Sequence, residues 1–512
     1  MKTGVSSSLL CCLDIGTSAC KGLLVDAAGR IAASAREPYP LVFDGGAGRV
    51  EQEPEVLWNA VCNTIAALTS DRARAGEVTA LSLSSQMGAH LLADAEGRAL
   101  TRFVSWMDRR AEQESLDLAA AFPPERLAAE LGATLPPGPS WALPKLKWWR
   151  DHEPALLERA RYLAQPKEWI IWKLCGNWTS DLSSQRGLRH QESGRVSPAL
   201  AQWAGIDPDL APPVAAPDSV AGTLDKRLAE KWGLRFGTPV VVGWNDLAAA
   251  LLGSVGLPDQ PTGFDITGTS EHLGVLLPAS ICPPNTAGLG DIPFGKEHRI
   301  RYGVTSSSGR ILQWYWEELR GQPGTPESYR KLEREIASTP SGSDGLIFLP
   351  CLAGERAPWF NPRARGSFYG IGVGHRSAHF SKAVLEGITF TLRSIQARLG
   401  PQVEAGEFRV IGGASVMGAW NQMKADILQT PFVTLECPEA GCLGAAILAA
   451  KATGLHGSLE DAAGAMIRTG RTFFPCREAA SRLERQHLRF EKLYHALEPL
   501  FNESQNPETQ NP

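Results

Sequence analysis

The sequence lacks the features that mark nucleic-acid-binding and membrane proteins. It contains no block of basic residues, and its formal net charge is −4 at pH 7, which argues against nucleic acid and anionic membranes as main partners. It has no uninterrupted apolar stretch of membrane-spanning length, and the apolar run near its start is short and broken by Asp14, unlike a signal peptide. We therefore expect neither a nucleic-acid partner nor a membrane partner.

The cysteines also lack any pattern that would indicate a metal or redox site. Ten are scattered along the chain and none forms a Cys-x-x-Cys pair, so neither a zinc site nor a redox pair is predicted. Free thiols are typical of a reducing compartment, and we expect a cytoplasmic protein. The remaining composition is ordinary, with 43% hydrophobic and 21% charged residues in 512, which is enough for a sizeable core.

Residues 9–26 form the first informative stretch. An apolar segment, the polar turn Gly16-Thr17-Ser18 and a second apolar segment follow one another, which predicts two strands joined by a tight turn. Glycine permits close approach of the backbone, and the N–H groups of such a turn can surround an anion. For this single copy taken alone, an ordinary hairpin turn is the favoured explanation.

A second copy changes the interpretation. Residues 264–277 repeat the pattern around Gly268-Thr269-Ser270, about half of the chain length later. A repeat at that distance predicts two related lobes rather than an array of short repeats. Two such hairpins that face each other across a cleft would suit a polyphosphate.

Two buried segments carry polar residues at their ends. Residues 78–83 predict a strand that ends in Ser84-Ser85-Gln86-Met87, and such strand ends often lie at a cleft in α/β folds. Residues 239–243 predict another strand, and a helix is predicted to begin near Asp246. An acid at that position is either a helix cap or a base that activates a hydroxyl group.

Three further segments complete the pattern. Trp106 to Arg110 could stack on and hydrogen-bond a sugar, although a solvated charge pair at a strand end is the alternative. The bare backbone of Gly412-Gly413 would let a flat base lie against it. Residues 282–295 predict a Pro- and Gly-rich loop, in which residues 290–297 only narrowly miss a P-loop and are rejected as one because Glu297 replaces the expected hydroxyl.

Together with the two hairpins, several short segments resemble the FGGY family of carbohydrate kinases, from about Leu10 to Leu500. These segments are Ser85-Gln86-Met87, Pro144-Lys145-Leu146, residues 354–358, residues 364–368, residues 383–387 and Gly412-Gly413-Ala414. They resemble most closely the family members that act on D-xylulose, with three departures. Gly88 follows Met87 where these members have His. Leu247 follows Asp246 where they have Asn. In their usual Trp-Asn-Asp-Gly-Arg segment, Met107 replaces the Asn and Arg109 replaces the Gly. All three departures fall in the sugar half of the site.

The resemblance implies an α/β fold of two actin-like ATPase (ribonuclease H-like) lobes with a central cleft. The implied division is an N-terminal lobe at 8–254, a C-terminal nucleotide-binding lobe at 255–500 and a disordered tail at 501–512. It further implies ATP-dependent phosphorylation of a sugar hydroxyl group, with D-xylulose converted to D-xylulose 5-phosphate as the first candidate. Mg²⁺ is the expected metal ion, the sugar and ATP are the expected small-molecule partners, and a homodimer is a further expectation.

The resemblance also assigns roles to individual residues. Asp246 would be the general base and Asp14 would hold Mg²⁺, directly or through water. Gln86, Met87, Trp106, Asp108 and Arg109 would shape the sugar site. The residues expected to bind ATP are Gly16, Thr17, Ser18, Lys21, Gly268, Thr269, Ser270, Gly309, Gln313, Gly412, Gly413 and Ala414.

Two alternatives to D-xylulose phosphorylation stay open. The acceptor could be gluconate, a polyol or another ketose, because the departures concern the sugar half of the site. The chain could also be a non-catalytic actin-like module that binds ATP, although such a module needs neither Asp246 nor the sugar-site segments.

Overall fold

The computed structural model describes residues 8–44, 48–133, 137–281 and 289–503. The strands are β1 (Leu9–Ile15), β2 (Ala19–Asp26), β3 (Ile31–Pro38), β4 (Val42–Asp44), β5 (Arg49–Gln52), β6 (Val78–Ser85), β7 (Leu91–Ala93), β8 (Phe103–Val104), β9 (Tyr162–Ala164), β10 (Val220–Thr223), β11 (Pro239–Asn245), β12 (Thr262–Thr267), β13 (Glu271–Pro278), β14 (Gly290–Phe294), β15 (His298–Val304), β16 (Ile347–Leu349), β17 (Ser367–Tyr369), β18 (Phe408–Gly412), β19 (Phe432–Leu435) and β20 (Thr469–Phe473).

The helices cover the sheets and connect their strands. They are α1 (Pro54–Leu68), α2 (Arg72–Ala75), α3 (Glu112–Ala121), α4 (Pro124–Leu131), α5 (Ala142–His152), α6 (Pro154–Arg159), α7 (Pro166–Cys175), α8 (Pro198–Ala204), α9 (Lys226–Trp232), α10 (Asp246–Ser254), α11 (Gly309–Gln313), α12 (Pro326–Ser338), α13 (Ser377–Leu399), α14 (Gly418–Leu428), α15 (Ala440–Ala452), α16 (Leu459–Met466) and α17 (Arg477–Glu503). Among the described residues, no helix combines the length and the apolar character needed to cross a membrane.

The chain forms two compact units. The first contains Met1–Leu257, Ile292–Phe294 and Glu439–Arg468, and the second contains Pro258–Asp291, Gly295–Pro438 and Thr469–Pro512. The first unit therefore includes residues 255–257 and two later segments that the expected division at 254 and 255 assigns to the second lobe. The role given to each lobe stays a prediction.

The sheet of the first unit brings three strand ends together. Its strands lie in the order β10, β11, β6, β1, β2 and β3. The predicted hairpin is confirmed, because β1 and β2 pair antiparallel around the turn at Gly16. Both β1 and β11 run parallel to β6, with Asp14 opposite Ser84 and Asn245 opposite Ser85. The carboxyl ends of these three strands thus share one edge of the sheet.

Small residues let two helices of the first unit pack closely. A Cβ atom added to Gly444 of α15 would lie 1.8 Å from the carbonyl oxygen of Ala249 in α10, and one added to Gly253 would lie 2.1 Å from that of Ala440. Only glycine permits these approaches between the backbones. These glycines fix α15 against α10.

The second unit repeats the hairpin. Strands β15, β13, β12, β18, β19 and β20 lie side by side in that order. β12 and β13 pair antiparallel around Gly268-Thr269-Ser270, and β12 runs parallel to β18. The apolar face of α13, which includes Val384, Leu385 and Ile388, is buried in the core of this unit.

Two predictions about loops need correction. Residues 290–294 form β14 rather than a loop, because alternate apolar side chains such as Ile292 and Phe294 are buried. Residues 501–503 continue α17, in which Phe501 is buried. The remaining parts of these two predictions, at 282–288 and 504–512, lie outside the described residues.

Candidate active site

Asp246 is the first residue of α10 and directly follows β11. The side chain of Asn245 caps this helix, since its Oδ1 accepts a hydrogen bond of 3.0 Å from the N–H of Ala248. The cap is therefore Asn245. Oδ1 of Asp246 accepts a hydrogen bond of 2.8 Å from the N–H of Leu247, and the carboxylate is available for another role.

The surroundings of Asp246 favour its neutral form. Desolvation and the negative charge of Asp14 raise its pKa to about 7, while the charge of Arg186 acts in the opposite direction. By its accessible surface the residue is nevertheless exposed, so an acceptor can reach its carboxyl group. A carboxyl group with a pKa near the operating pH can both accept and release a proton, which suits a general base.

Asp14 lies near the end of β1, on the far side of β6 from β11, and its negative charge acts on Asp246. Ser84 donates a hydrogen bond of 2.9 Å to its Oδ1, and the first turn of α15 lies so close that a Cβ atom on Gly441 would be 3.0 Å from Asp14 Cγ. Burial raises the pKa of Asp14, although Ser84 and Lys21 oppose this shift. The N-terminus of α15 also favours a negative charge here.

The donor set around Asp14 suits Mg²⁺. No group of three or more potential metal ligands occurs within the described residues, so they contain no protein-only cage. Magnesium is usually bound through one or two carboxylates, several waters and the phosphates of a substrate. A carboxylate such as Asp14 is the kind of ligand that this arrangement requires.

The turn at Gly16-Thr17-Ser18 is held in place from two sides. Tyr39 donates a hydrogen bond of 2.5 Å to the carbonyl oxygen of Gly16. Gln52 Nε2 donates one of 2.7 Å to the carbonyl oxygen of Thr17, and Trp106 Nε1 donates one of 3.0 Å to Thr17 Oγ1. The turn is thereby linked to Trp106, one of the residues expected at the sugar.

Lys21, expected to assist phosphate binding, forms an ion pair with Glu439 at 2.7 Å. Both side chains are partly exposed, and Glu439 immediately precedes α15. A phosphate contact by Lys21 would require exchange of this partner, so that role stays a prediction.

Gln86 and Met87 lie beside the turn, at the end of β6. Gln86 is buried and donates a hydrogen bond of 2.7 Å from Nε2 to Gln52 Oε1, while its own Oε1 accepts none within the part of the chain that the structure describes. Met87 Sδ lies 3.8 Å from Arg186 Nη2. Both residues thus present groups near the strand edge that carries Asp14.

The backbone conformation and close neighbours of Gly88 leave little room at this position for the histidine that similar family members have after Met87. Its φ is +82°, and a Cβ atom there would lie 3.2 Å from the carbonyl oxygen of Ser140 and 3.3 Å from Trp106 Cβ. The backbone of Gly88 is engaged on both sides, by the side chains of Gln165 and Lys145. A side chain at position 88 would therefore disturb Trp106.

The other expected sugar-site residues differ in their surroundings. Asp108 is buried, and its carboxylate binds the guanidinium of Arg110 and the N–H of Val50. Arg109 is exposed and forms an ion pair with Glu112 at 2.7 Å. Trp106 is 45% exposed. Contacts of Asp108 and Arg109 with a sugar stay predictions.

In the second unit, three glycines meet at the second hairpin turn. The N–H of Gly309 donates a hydrogen bond of 3.1 Å to the carbonyl oxygen of Gly268, and a Cβ atom on Gly309 would lie 2.4 Å from that oxygen. Gly412 has a φ of +93°, and its Cβ would lie 2.3 Å from the carbonyl oxygen of Thr267. The expected nucleotide-binding segments therefore converge on one end of β12.

The remaining expected ATP residues in this unit differ in exposure. Thr269 is exposed and Ser270 half-buried, both in the turn. Gly413 is exposed with open space at its Cα, whereas Ala414 is buried. Gln313 is exposed and donates a hydrogen bond of 3.0 Å to Glu317. The structure thus brings the glycine segments together and leaves Gln313 on the exposed side of its helix.

Sequence reasoning missed a buried ionic cluster beneath the second turn. Lys424 Nζ lies 2.6 Å from Asp265 and 2.5 Å from Glu271, and all three side chains are fully buried. Glu271 also accepts a hydrogen bond of 2.5 Å from Ser308, which precedes Gly309. Charged residues inside otherwise apolar strands were the available signal, because such groups must be paired when buried.

Comparison with known proteins agrees with this geometry. The models for the N-terminal and C-terminal domains of the FGGY family of carbohydrate kinases match residues 9–253 and 265–453. The chain is 30% identical over 471 residues to the xylulose kinase of Bacillus subtilis (strain 168), covering 90% of this chain and 92% of the relative. It is 28% identical over 502 residues to the gluconokinase of the same strain, covering 96% and 94%. The crystal structure of gluconate kinase from Lactobacillus acidophilus superposes with a TM-score of 0.85 at 26% identity, covering 96% of this chain and 98% of that one.

Proposed function

Because the chain belongs to the FGGY family of carbohydrate kinases, we propose that it transfers the γ-phosphoryl group of ATP to a hydroxyl group of D-xylulose and forms D-xylulose 5-phosphate. Membership of the family makes the protein a sugar phosphotransferase that uses ATP. The choice of D-xylulose rests on the xylulose kinase among its relatives. A cytoplasmic location and a homodimer stay predictions.

The observation that carries the proposal is the pair formed by Asp246 and Asp14. Asp246 accepts the proton of the acceptor hydroxyl group, because its pKa is raised to about 7 by burial and by Asp14. The hydroxyl oxygen then forms a bond to the γ-phosphorus, and the bond to the β-phosphate oxygen breaks to release ADP.

Other residues orient the two substrates. The N–H groups and hydroxyl groups of the turns at Gly16 and Gly268 bind phosphate oxygens, and Gly309, Gln313 and residues 412–414 receive the nucleoside. Asp14 would hold Mg²⁺, which when bound neutralises charge on the phosphates. Gln86, Met87 and Trp106 hold the sugar.

The test measures ADP release with ATP, Mg²⁺ and a panel of ketoses, aldonates and polyols. Wild-type protein is compared with the Asp246→Asn variant. We expect D-xylulose to stimulate release and the variant to lose on the order of 10²–10⁴-fold in kcat, while it still binds ATP. Asp259→Asn is the matched control, because Asp259 is exposed in the same stretch of chain.

Two results would contradict the proposal in different ways. Near-full turnover by Asp246→Asn would remove its role as the base. Stimulation by another acceptor alone would leave the base intact and reject D-xylulose.

A further inference from the structure

Ser308 is a buried residue that immediately precedes α11. Its Oγ donates a hydrogen bond of 2.5 Å to Glu271 Oε2. Its backbone N–H donates one of 2.9 Å to the carbonyl oxygen of Thr269, and the N–H of Gly309 donates one of 3.1 Å to that of Gly268. Ser308 therefore connects the start of α11 both to the second turn, Gly268-Thr269-Ser270, and to the buried ionic cluster beneath that turn.

These hydrogen bonds set the direction of the N–H groups in the second turn. Its peptide units are trans, and in a planar trans unit the carbonyl oxygen and the following N–H point in opposite directions. The carbonyl oxygens of Gly268 and Thr269 face α11, so the N–H groups of Thr269 and Ser270 face away from it. Within the part of the chain that the structure describes, neither of these N–H groups has a hydrogen-bond acceptor.

The second turn is supported differently from the first. Side chains of Tyr39, Gln52 and Trp106 hold the turn at Gly16. In ranges 8–44, 48–133, 137–281 and 289–503, no side chain donates to a carbonyl oxygen of the second turn. The backbone at the start of α11 therefore carries this support, and Ser308 is the residue that fixes that backbone from below.

The buried cluster gives Ser308 an ionised acceptor. Desolvation acts to raise the pKa of Glu271, but the charge of Lys424 outweighs it and lowers that pKa. Burial raises the pKa of Asp265, so Asp265 holds a proton and the cluster contains one cation and one anion. Lys424 lies 2.5 Å from Glu271 Oε1, which leaves Oε2 for Ser308. A hydrogen bond to a carboxylate is stronger than one to a neutral acceptor.

We propose that Ser308 is a positioning residue for ATP. Bound to Glu271, it holds the start of α11 against the second turn, so that the N–H groups of Thr269 and Ser270 face the phosphates. The inference rests on the proposed function, because it places the ATP phosphates at this turn. Ser308 acts through the turn, so its loss weakens ATP binding and leaves the chemistry at the acceptor hydroxyl group unchanged.

The experiment compares wild type with Ser308→Ala, which removes one hydroxyl group and leaves Glu271 paired with Lys424. Steady-state kinetics give kcat and the KM values for ATP and for the best acceptor of the panel. Calorimetry gives the affinities for ADP and for the β,γ-imido analogue of ATP, with Mg²⁺ and without acceptor. We expect KM for ATP and both dissociation constants to rise about tenfold, the scale of a lost hydrogen bond to a charged group. KM for the acceptor and kcat at saturating ATP should change by less than about threefold.

Ser343→Ala is the matched control. Ser343 is a buried serine of the same unit, and it donates a hydrogen bond of 2.7 Å to the buried Glu386. The other carboxylate oxygen of Glu386 keeps a partner, the N–H of Gly342, as that of Glu271 keeps Lys424. Thermal unfolding should show similar losses of stability in the two alanine variants, whereas only Ser308→Ala should lose nucleotide affinity.

Glu271→Gln tests the link from the other side. A glutamine keeps a hydrogen bond to Ser308, because a hydroxyl group can both donate and accept, and Asp265 remains to pair with Lys424. This variant should therefore retain more nucleotide affinity than Ser308→Ala.

Weaker nucleotide binding in Ser308→Ala alone, with the acceptor kinetics of wild type, supports the positioning role. Nucleotide affinity within about threefold of wild type in Ser308→Ala would overturn it, and so would equal losses in Ser343→Ala. If no acceptor stimulates ADP release by wild type while nucleotide binding depends on Ser308, the proposed function fails and the positioning role survives.

Discussion

Lys145 donates a hydrogen bond of 2.6 Å from Nζ to the carbonyl oxygen of Gly88. The same ammonium group donates to the carbonyl oxygens of Val104 and Ser105, at 2.8 and 2.9 Å. It therefore joins the segment after Met87 to the segment that leads into Trp106. Because Lys145 is fully buried, desolvation lowers its pKa to about 7.

We expect Lys145→Met to weaken acceptor binding more than ATP binding. Loss of the ammonium group removes a donor from three carbonyl groups. Those of Val104 and Ser105 keep backbone hydrogen bonds from His90 and Asp108, whereas that of Gly88 loses its Lys145 bond, which costs about 1–3 kcal/mol of stability if that carbonyl group stays buried. The two segments should then separate, and KM for the acceptor should rise by about tenfold or more, equivalent to about 1.4 kcal/mol. Steady-state kinetics and urea unfolding measure both effects.

Lys147→Met provides the control for that experiment. Lys147 lies on the same helix but pairs with Asp151 at 2.6 Å near the surface, so its loss should change stability by less than about 1 kcal/mol. If Lys145→Met unfolds more easily but keeps the acceptor KM of wild type, Lys145 supports the fold without positioning the site.

The activity should fall as the pH drops through about 7. Asp246 must be deprotonated to accept a proton, and its pKa is raised to about 7 from an ordinary 3.8. At saturating ATP and Mg²⁺, kcat/KM for the acceptor should therefore decrease about tenfold per pH unit below that pKa. Arg186→Gln should move this acid limb to higher pH, because the charge of Arg186 lowers the pKa. Constant activity down to pH 5 would show that Asp246 does not limit the reaction.

We expect Gly412→Ala to disturb the second turn and ATP binding. The positive φ of Gly412 and the 2.3 Å approach to the carbonyl oxygen of Thr267 leave no room for a Cβ atom, and a strained residue of this kind costs about 1–3 kcal/mol. Urea unfolding and KM for ATP should both report the change. Gly406→Ala is the control, since a Cβ atom there meets open space. Equal behaviour of the two variants would mean that the turn adjusts easily.

Much of the fold and part of the site could be predicted because they follow from local patterns. The likeness to solved kinase structures over most of the chain confirms the α/β fold with two actin-like lobes. Both Gly-Thr-Ser hairpins and the strand-to-helix junction at Asp246 are confirmed as elements. Alternating or continuous apolar residues that end in polar ones are visible in the sequence, and parallel pairing then brings such ends to one edge.

The rest could not be predicted because it depends on partners far apart in the chain. Lys21 and Glu439 are separated by 418 residues, and the partners of Lys145 lie 40 to 57 residues away. No local pattern shows that Lys145 is buried, or that the charge of Arg186 acts on Asp246. These properties arise only when the elements pack.

The composition of the first unit has a consequence for how the protein is made. Its helix α15 packs closely against α10 at Gly444. This helix belongs to the segment Glu439–Arg468, which follows most of the second unit in the sequence. During synthesis from the N-terminus, the apolar face of α10 therefore cannot pack against α15 until most of the 512 residues have left the ribosome. A fragment that stops before residue 439 would expose that face, and a circular permutation that joins this segment to its unit would remove the delay.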